Sequence, residues 1–156
     1  MPSVYLETTI PSYLASRPSR DLIVAAHQQV THEWWMRARG AFDLFVSAAV
    51  LSEIRAGDPA LAARRLELVQ DLPVLASRSD VDSLAEIYAN GLGLPSQAHA
   101  DLVHIAFAVS YRLDYLLTWN CKHIANGHVI RKLHAINHQI QRMTPVVVTP
   151  EELLSE

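Results

Sequence analysis

Apolar positions along this chain switch repeatedly between two spacings, and each switch marks a change of element. Val4, Tyr5 and Leu6 are consecutive strand formers, so residues 3–7 read as a strand with Glu7 at its end. Thr8, Thr9 and Pro11 then turn the chain into a short helix, with Thr9 as the expected N-cap and Pro11 in the first turn. Arg17, Pro18 and Ser19 interrupt that helix. Leu22, Ile23, Ala26, Val30 and Trp34 recur at near-helical spacing and predict a long helix over 21–39, stopped by Gly40. The FDLFVS run predicts a strand over 42–47, followed directly by a helix over 48–55 with Val50, Leu51 and Ile54 on one side.

Gly57 and the Asp58–Pro59 pair separate that helix from the next, over 59–71. A buried strand over 73–75 follows, then a helix over 80–90 ended by the NGLG run. Residues 97–111 form a strongly apolar helix, residues 115–118 a strand, 119–123 a loop, and 129–141 a polar-rich helix. Val146, Val147 and Val148 make a last strand, and Pro150-Glu151-Glu152 is expected to open a short terminal helix. Strands alternate with helices from end to end, and several strands are apolar throughout. That pattern predicts a single α/β domain over 1–156, a three-layer α/β/α sandwich with a parallel sheet of four to five strands.

Ligands in such folds bind beyond the carboxyl ends of the strands. Six residues pass that filter. Glu7 ends the first strand, Thr118, Trp119 and Asn120 lie at the end of the 115–118 strand, Glu53 lies in the helix after the second strand, and Asp101 lies near the start of the apolar helix. Asp101 is the most informative, because from Leu102 to Val109 only His104 can carry charge. A carboxylate on such a helix must be near a terminus, paired, or bound to a cation. Several carboxylates in one cleft repel each other, and a hard divalent cation with oxygen ligands relieves the repulsion.

Composition adds limits. Half of the 156 residues are hydrophobic, enough to bury a sizeable core. The N-terminus lacks the pattern of a signal peptide, and no uncharged apolar window is long enough to span a membrane, so a cytoplasmic location is the default expectation. The single cysteine, Cys121, excludes an internal disulfide and a cysteine-rich zinc site. Net charge is −3, which argues mildly against nucleic-acid binding, so any RNA reading must rest on local features.

The order of these features resembles a known family. A strand ending in an acid followed by Thr8-Thr9, Ser52-Glu53 in the helix after the second strand, Ala100-Asp101 opening an alanine-rich helix, and Leu116-Leu117-Thr118-Trp119-Asn120 followed by Lys122-His123 are similar to the PIN domain. The nearest likeness is to the VapC-like toxin ribonucleases of toxin–antitoxin pairs. The resemblance runs from Val4 to about Thr149; each motif is weak alone, and their order and spacing make the combination moderately specific. It implies a strand order 3-2-1-4-5 and an endoribonuclease that binds Mg²⁺ or Mn²⁺ and cleaves RNA with a metal-activated water. It also implies inhibition by a cognate antitoxin and, commonly, a homodimer.

By this resemblance Glu7, Glu53 and Asp101 match the first three acids of the metal cluster, Thr8 the small hydroxyl residue after the first acid, and Thr118 a Thr or Ser near the site. Two positions depart from the family. Its first acid is normally Asp, and here it is Glu7. Its fourth acid is replaced by Asn120, which offers a carbonyl oxygen but no charge. Substrate contacts are expected from Thr8, Thr118, Lys122, His123, Arg131 and Lys132.

Plainer roles remain open for each residue. Glu7 and Asp101 suit the positive end of a helix, and Glu53 can pair with Arg55. Asn120 can bend its loop, Thr118 can bond locally, and Lys122 and His123 can be ordinary polar surface. Arg131, Lys132, His134, His138 and Arg142 form either an RNA-phosphate track or a solvated face. His134 and His138 share a helix face, but no Glu or third ligand completes a zinc motif. His104 reads as a core or cleft-edge residue. Trp34 and Trp35 either stack on bases or divide between core and interface, and their helix is the candidate protein-contact surface. Two rival functions stay in view: a degenerate PIN domain that binds RNA or protein without cleavage, and a small-molecule phosphohydrolase. The latter lacks an Asp-x-Asp motif and a glycine-rich phosphate loop.

Overall fold

The computed structural model describes residues 1–38 and 40–154. Five strands, β1 (Ser3–Leu6), β2 (Asp43–Ser47), β3 (Val74–Leu75), β4 (Tyr115–Leu117) and β5 (Val146–Val148), form one sheet in the order β3-β2-β1-β4-β5. Every neighbouring pair is parallel. Parallel neighbours need crossover connections, and here helices supply them. The described helices are α1 (Thr9–Ala15), α2 (Leu22–Ala38), α3 (Ala48–Ile54), α4 (Pro59–Val69), α5 (Ser79–Gly91), α6 (His99–Ser110) and α7 (Gly127–Gln139). One group packs α1 against α2 and α4, and another packs α5 against α6 and α7. The result is the predicted three-layer α/β/α sandwich. Among the described residues no helix is long and apolar enough to cross a membrane.

The central strand explains the uniform apolar runs. Val4, Tyr5 and Leu6 of β1 are fully buried, as are Leu116 and Leu117 of β4. A strand covered by helices on both faces has no solvent side, so alternation disappears. On the helices, Leu102, Ile105, Ala106, Phe107, Ala108 and Val109 of α6 join Trp34, Tyr88 and Ile54 in one continuous core.

Element ends differ from expectation where side chains took over backbone bonding. Thr9 begins α1 instead of capping it; Thr8 occupies the cap position and makes no side-chain cap bond. Asp21 caps α2 by accepting from the amides of Ile23 and Val24. The expected last residue of that helix, residue 39, lies outside the described residues. α7 begins two residues earlier than its apolar pattern, because the Asn126 side chain accepts from His128 and Val129. The expected terminal helix is a turn: the Glu152 carboxylate folds back onto the amide and hydroxyl of Thr149.

The strand order also locates the cleft. Successive strands run from β1 outward to β2 and β3, then return to the other side of β1 as β4 and β5. The order reverses between β1 and β4. A crevice forms at the carboxyl ends of the two strands where such a reversal occurs.

Candidate active site

Glu7 and Thr118 are the first residues beyond β1 and β4, so they face each other across that reversal. Glu7 is only 3% exposed. Its Oε1 accepts from the hydroxyls of Thr9 and Thr118, each at 2.6 Å. The same two hydroxyls accept from the loop beyond β4: Trp119 N donates to Thr9 Oγ1 and Asn120 N to Thr118 Oγ1, both at 2.9 Å. One buried carboxylate thus organises the turns after two adjacent strands. Charge-assisted bonds of this kind compensate its loss of water.

Asp101 lies in the first turn of α6. Its Oδ1 accepts from Asn120 Nδ2 and its Oδ2 faces His123 Nδ1, both at 2.9 Å. Asn120 is the hinge of the loop: its Oδ1 accepts from His123 N at 3.0 Å, and its backbone oxygen accepts from Ile124 and Ala125. Asn120 therefore does bend the loop, and it also holds Asp101. Its carbonyl keeps a second lone pair for another partner. Thr118 bonds locally and is fully buried.

Glu53 projects from α3, and its side chain is 38% exposed. Its partner is His104 Nε2 of α6 at 2.5 Å, not the adjacent Arg55 that the sequence offered. Thr8 Oγ1 stands 3.5 Å from the same ring nitrogen. His104 is fully buried, and its other nitrogen meets the Tyr5 hydroxyl at 2.6 Å. Burial pushes the Tyr5 hydroxyl well above its ordinary pKa, with the nearby charges of Glu7 and Glu53 adding to the rise and a bond to Ser47 opposing it. Tyr5 and Ser47 are the members that sequence reasoning missed; Thr9 was expected only as a helix cap, and His104 as a core or cleft-edge residue, which is where it lies. His104 left a trace, as the one ionisable residue in the apolar stretch and three positions after Asp101. The Tyr5 hydroxyl left none inside a buried strand.

Around this core the loop is fixed by aromatic packing. Trp119 stacks on His27 with ring centroids 4.0 Å apart and planes at 9°, and lies 6.3 Å from Tyr13 at 15°. Its indole nitrogen donates to Thr31 Oγ1 at 2.7 Å. Trp34 is fully buried and Trp35 packs partly buried beside it, so this pair belongs to the core of α2. Lys122, Arg131 and Lys132 are exposed, with Lys132 Nζ 3.5 Å from the Leu92 carbonyl. Arg142 is committed to Asp80 through two bonds of 2.7 and 2.9 Å and is not part of a free basic track.

The donor chemistry suits a hard divalent cation, since Glu7, Glu53 and Asp101 are carboxylates and Asn120 carries an amide oxygen. The side-chain positions do not yet assemble it. Among the described residues no three His, Cys, Asp or Glu side chains converge on a point where a metal ion would sit. Glu7 is held by hydroxyls, Glu53 by His104, and Asp101 by Asn120 and His123.

No protein-family model matches the sequence, and neither does any curated protein. Solved structures do match. A chain of the VapBC2 complex of Rickettsia felis, bound to a DNA fragment from its promoter, superposes with a TM-score of 0.58 at 13% identity, over 94% of this chain and 98% of that one. VapC20 of Mycobacterium tuberculosis, a sarcin–ricin loop cleaving toxin, gives 0.55 at 15% identity, over 72% of this chain and 86% of its own. The fold is that of a VapC-like PIN domain. The strand order that the PIN resemblance implied is the one observed. At these identities the likeness concerns the PIN architecture, and the chemistry rests on the residues at the crevice.

Proposed function

We propose that this chain is a metal-dependent endoribonuclease acting as the toxin of a toxin–antitoxin pair. One set of contacts supports the proposal: Glu7 bonds to Thr118 beyond β4, Asp101 to Asn120 of the same loop, and Glu53 to His104, three positions after Asp101 on α6, in a fold shared with a toxin described as cleaving the sarcin–ricin loop. Asp101 and Glu53 are the more open carboxylates, at 20% and 38% side-chain exposure, and would hold Mg²⁺ or Mn²⁺. Glu7, deeper and bound to two hydroxyls, would hold the cation or orient the attacking water. Asn120 positions Asp101. A bound cation supplies an activated water and neutralises charge developing on the phosphoryl group.

The chain's own residues suit the remaining tasks. Lys122, His123, Arg131 and Lys132 lie on the loop and helix beyond β4, where they would meet substrate phosphates, and Thr8 and Thr118 would position groups nearer the carboxylates. Leu22, Ile23 and Met36 on α2 are strongly exposed and mark a surface for an antitoxin or a second copy.

RNA cleavage by the purified chain should require Mg²⁺ or Mn²⁺, cease on chelation and return when the metal is restored. Cleavage that persists in excess chelator removes the metal-dependent reading. That no three-carboxylate cage converges among the described residues favours one alternative, a PIN domain that binds RNA or protein without cutting. RNA binding with no turnover at millimolar Mn²⁺ would select it.

A further inference from the structure

A buried chain of four polar groups runs from β2 to Glu53. Val50 N donates to Ser47 Oγ at 3.2 Å, Ser47 Oγ lies 2.8 Å from the Tyr5 hydroxyl, Tyr5 lies 2.6 Å from His104 Nδ1, and His104 Nε2 lies 2.5 Å from Glu53 Oε1. Ser47, Tyr5 and His104 are each fully buried. They come from β2, β1 and α6, and their chain ends on α3.

The donors can be counted. Ser47 Oγ already accepts from Val50 N, and its own hydrogen needs an acceptor; Tyr5 Oη is the acceptor within reach among the described residues. Tyr5 must then donate onward, and His104 Nδ1 is in place to accept. That leaves the imidazole hydrogen on Nε2, pointing at the Glu53 carboxylate. The reverse direction places a bare nitrogen lone pair against a carboxylate and orphans the Ser47 hydrogen.

We propose that Ser47, Tyr5 and His104 form a one-way hydrogen-bond relay that fixes the His104 tautomer and thereby positions the Glu53 carboxylate at the crevice. His104 is three residues beyond Asp101 on the same helix, so the two project from one face of α6. That helix therefore carries Asp101 and also holds Glu53 in place relative to it. These are positioning residues: none needs to touch substrate. An oriented carboxylate on a buried imidazole is the kind of outer support that fixes ligand geometry around metal sites. The consequence for cleavage rests on the ribonuclease reading; the relay itself does not.

Two readouts test it. The first is the tautomer of His104 in the full chain labelled with ¹⁵N-histidine, read at neutral pH by long-range ¹H–¹⁵N correlation. The relay predicts hydrogen on Nε2 and a bare Nδ1 in the wild type, and a displaced Nδ1 resonance in Tyr5→Phe, where the donor to that nitrogen is lost. Hydrogen on Nδ1, or on both nitrogens, overturns it, and so does an unchanged Nδ1 resonance in Tyr5→Phe. If Tyr5→Phe does not fold, the wild-type spectrum alone decides.

The second is a double-mutant cycle on RNA cleavage with His104→Gln, whose amide donates to a carboxylate without needing a tautomeric partner. Tyr5→Phe should lower kcat by about tenfold or more in the wild-type background. In the His104→Gln background the same change should cost less than about twofold. Equal losses in both backgrounds indicate a merely structural hydroxyl and contradict the relay. A wild type that cuts no RNA defeats the ribonuclease reading, while the imidazole spectrum still decides the relay.

Discussion

Glu7 shows how much one methylene can decide. Its Oε1 serves the hydroxyls of Thr9 and Thr118 at once, and those hydroxyls in turn anchor the loop that carries Asn120. A shorter carboxylate at this position cannot reach both. Glu7→Asp, the residue that the PIN resemblance favours, should therefore destabilise the fold by about 1–3 kcal/mol, because it strands buried donors. Urea denaturation measures this; a variant as stable as the wild type would show that the two hydroxyls do not depend on the longer side chain. The anomaly at Glu7 was visible in the sequence, but its partners were not, since Thr118 lies 111 positions away. Asp101 was readable for a simpler reason, being a lone carboxylate opening an apolar helix. For Glu53 the sequence offered its neighbour Arg55, whereas the structure supplies His104 from a different helix.

Between elements, polar pairs set how the helices dock. α5 and α7 meet through Tyr88, whose hydroxyl donates to Asn137 Oδ1 at 2.6 Å in a buried contact. Burial raises the Tyr88 pKa above its ordinary value, so the hydroxyl remains a donor at all working pH values. Tyr88→Phe should cost about 1–3 kcal/mol by leaving the Asn137 oxygen unpaired, a loss seen as a lower denaturant midpoint. An unchanged midpoint would mean that Asn137 finds another donor.

A second tie joins the start of α5 to the segment after α7, where Arg142 clamps Asp80 with Ser110 assisting. The Arg142 bond, then the Ser110 bond, hold the Asp80 carboxyl well below the usual carboxylate range. With the folded pKa depressed, this contribution is complete above the unfolded value near ~4 and is lost as the pH falls through the lower folded value. Both side chains are 35% exposed, so solvent screening limits the pair to about 1 kcal/mol or less. Arg142→Gln should melt below the wild type at neutral pH, and the two melting curves should converge in acid. A gap that persists unchanged at the lowest pH would assign the loss to packing. The elements themselves were legible from periodicity; their ends were not, because Asp21, Asn126 and Glu152 each redirect a turn with a side chain.

At the scale of the whole molecule, the alternation of strands and helices fixed a parallel sheet, and the reversal of strand order between β1 and β4 fixed where a site can form. Net charge is −3, so any contact with RNA phosphates falls to local basic residues such as Lys122, Arg131 and Lys132, on the loop and helix beyond β4. What the sequence could not reveal is that the carboxylates arrive already partnered, each by residues remote in the chain. A cation at this crevice would take the carboxylate lone pairs that His104, Asn120 and His123 leave open on Glu53 and Asp101. The most direct test of the ribonuclease account is RNA cleavage in Mn²⁺ by the wild type and by Asp101→Asn, with thermal melting as a control. The account predicts cleavage by the wild type and a loss of at least about a hundredfold in the variant, with the fold intact. Equal cleavage by a folded Asp101→Asn protein would contradict it.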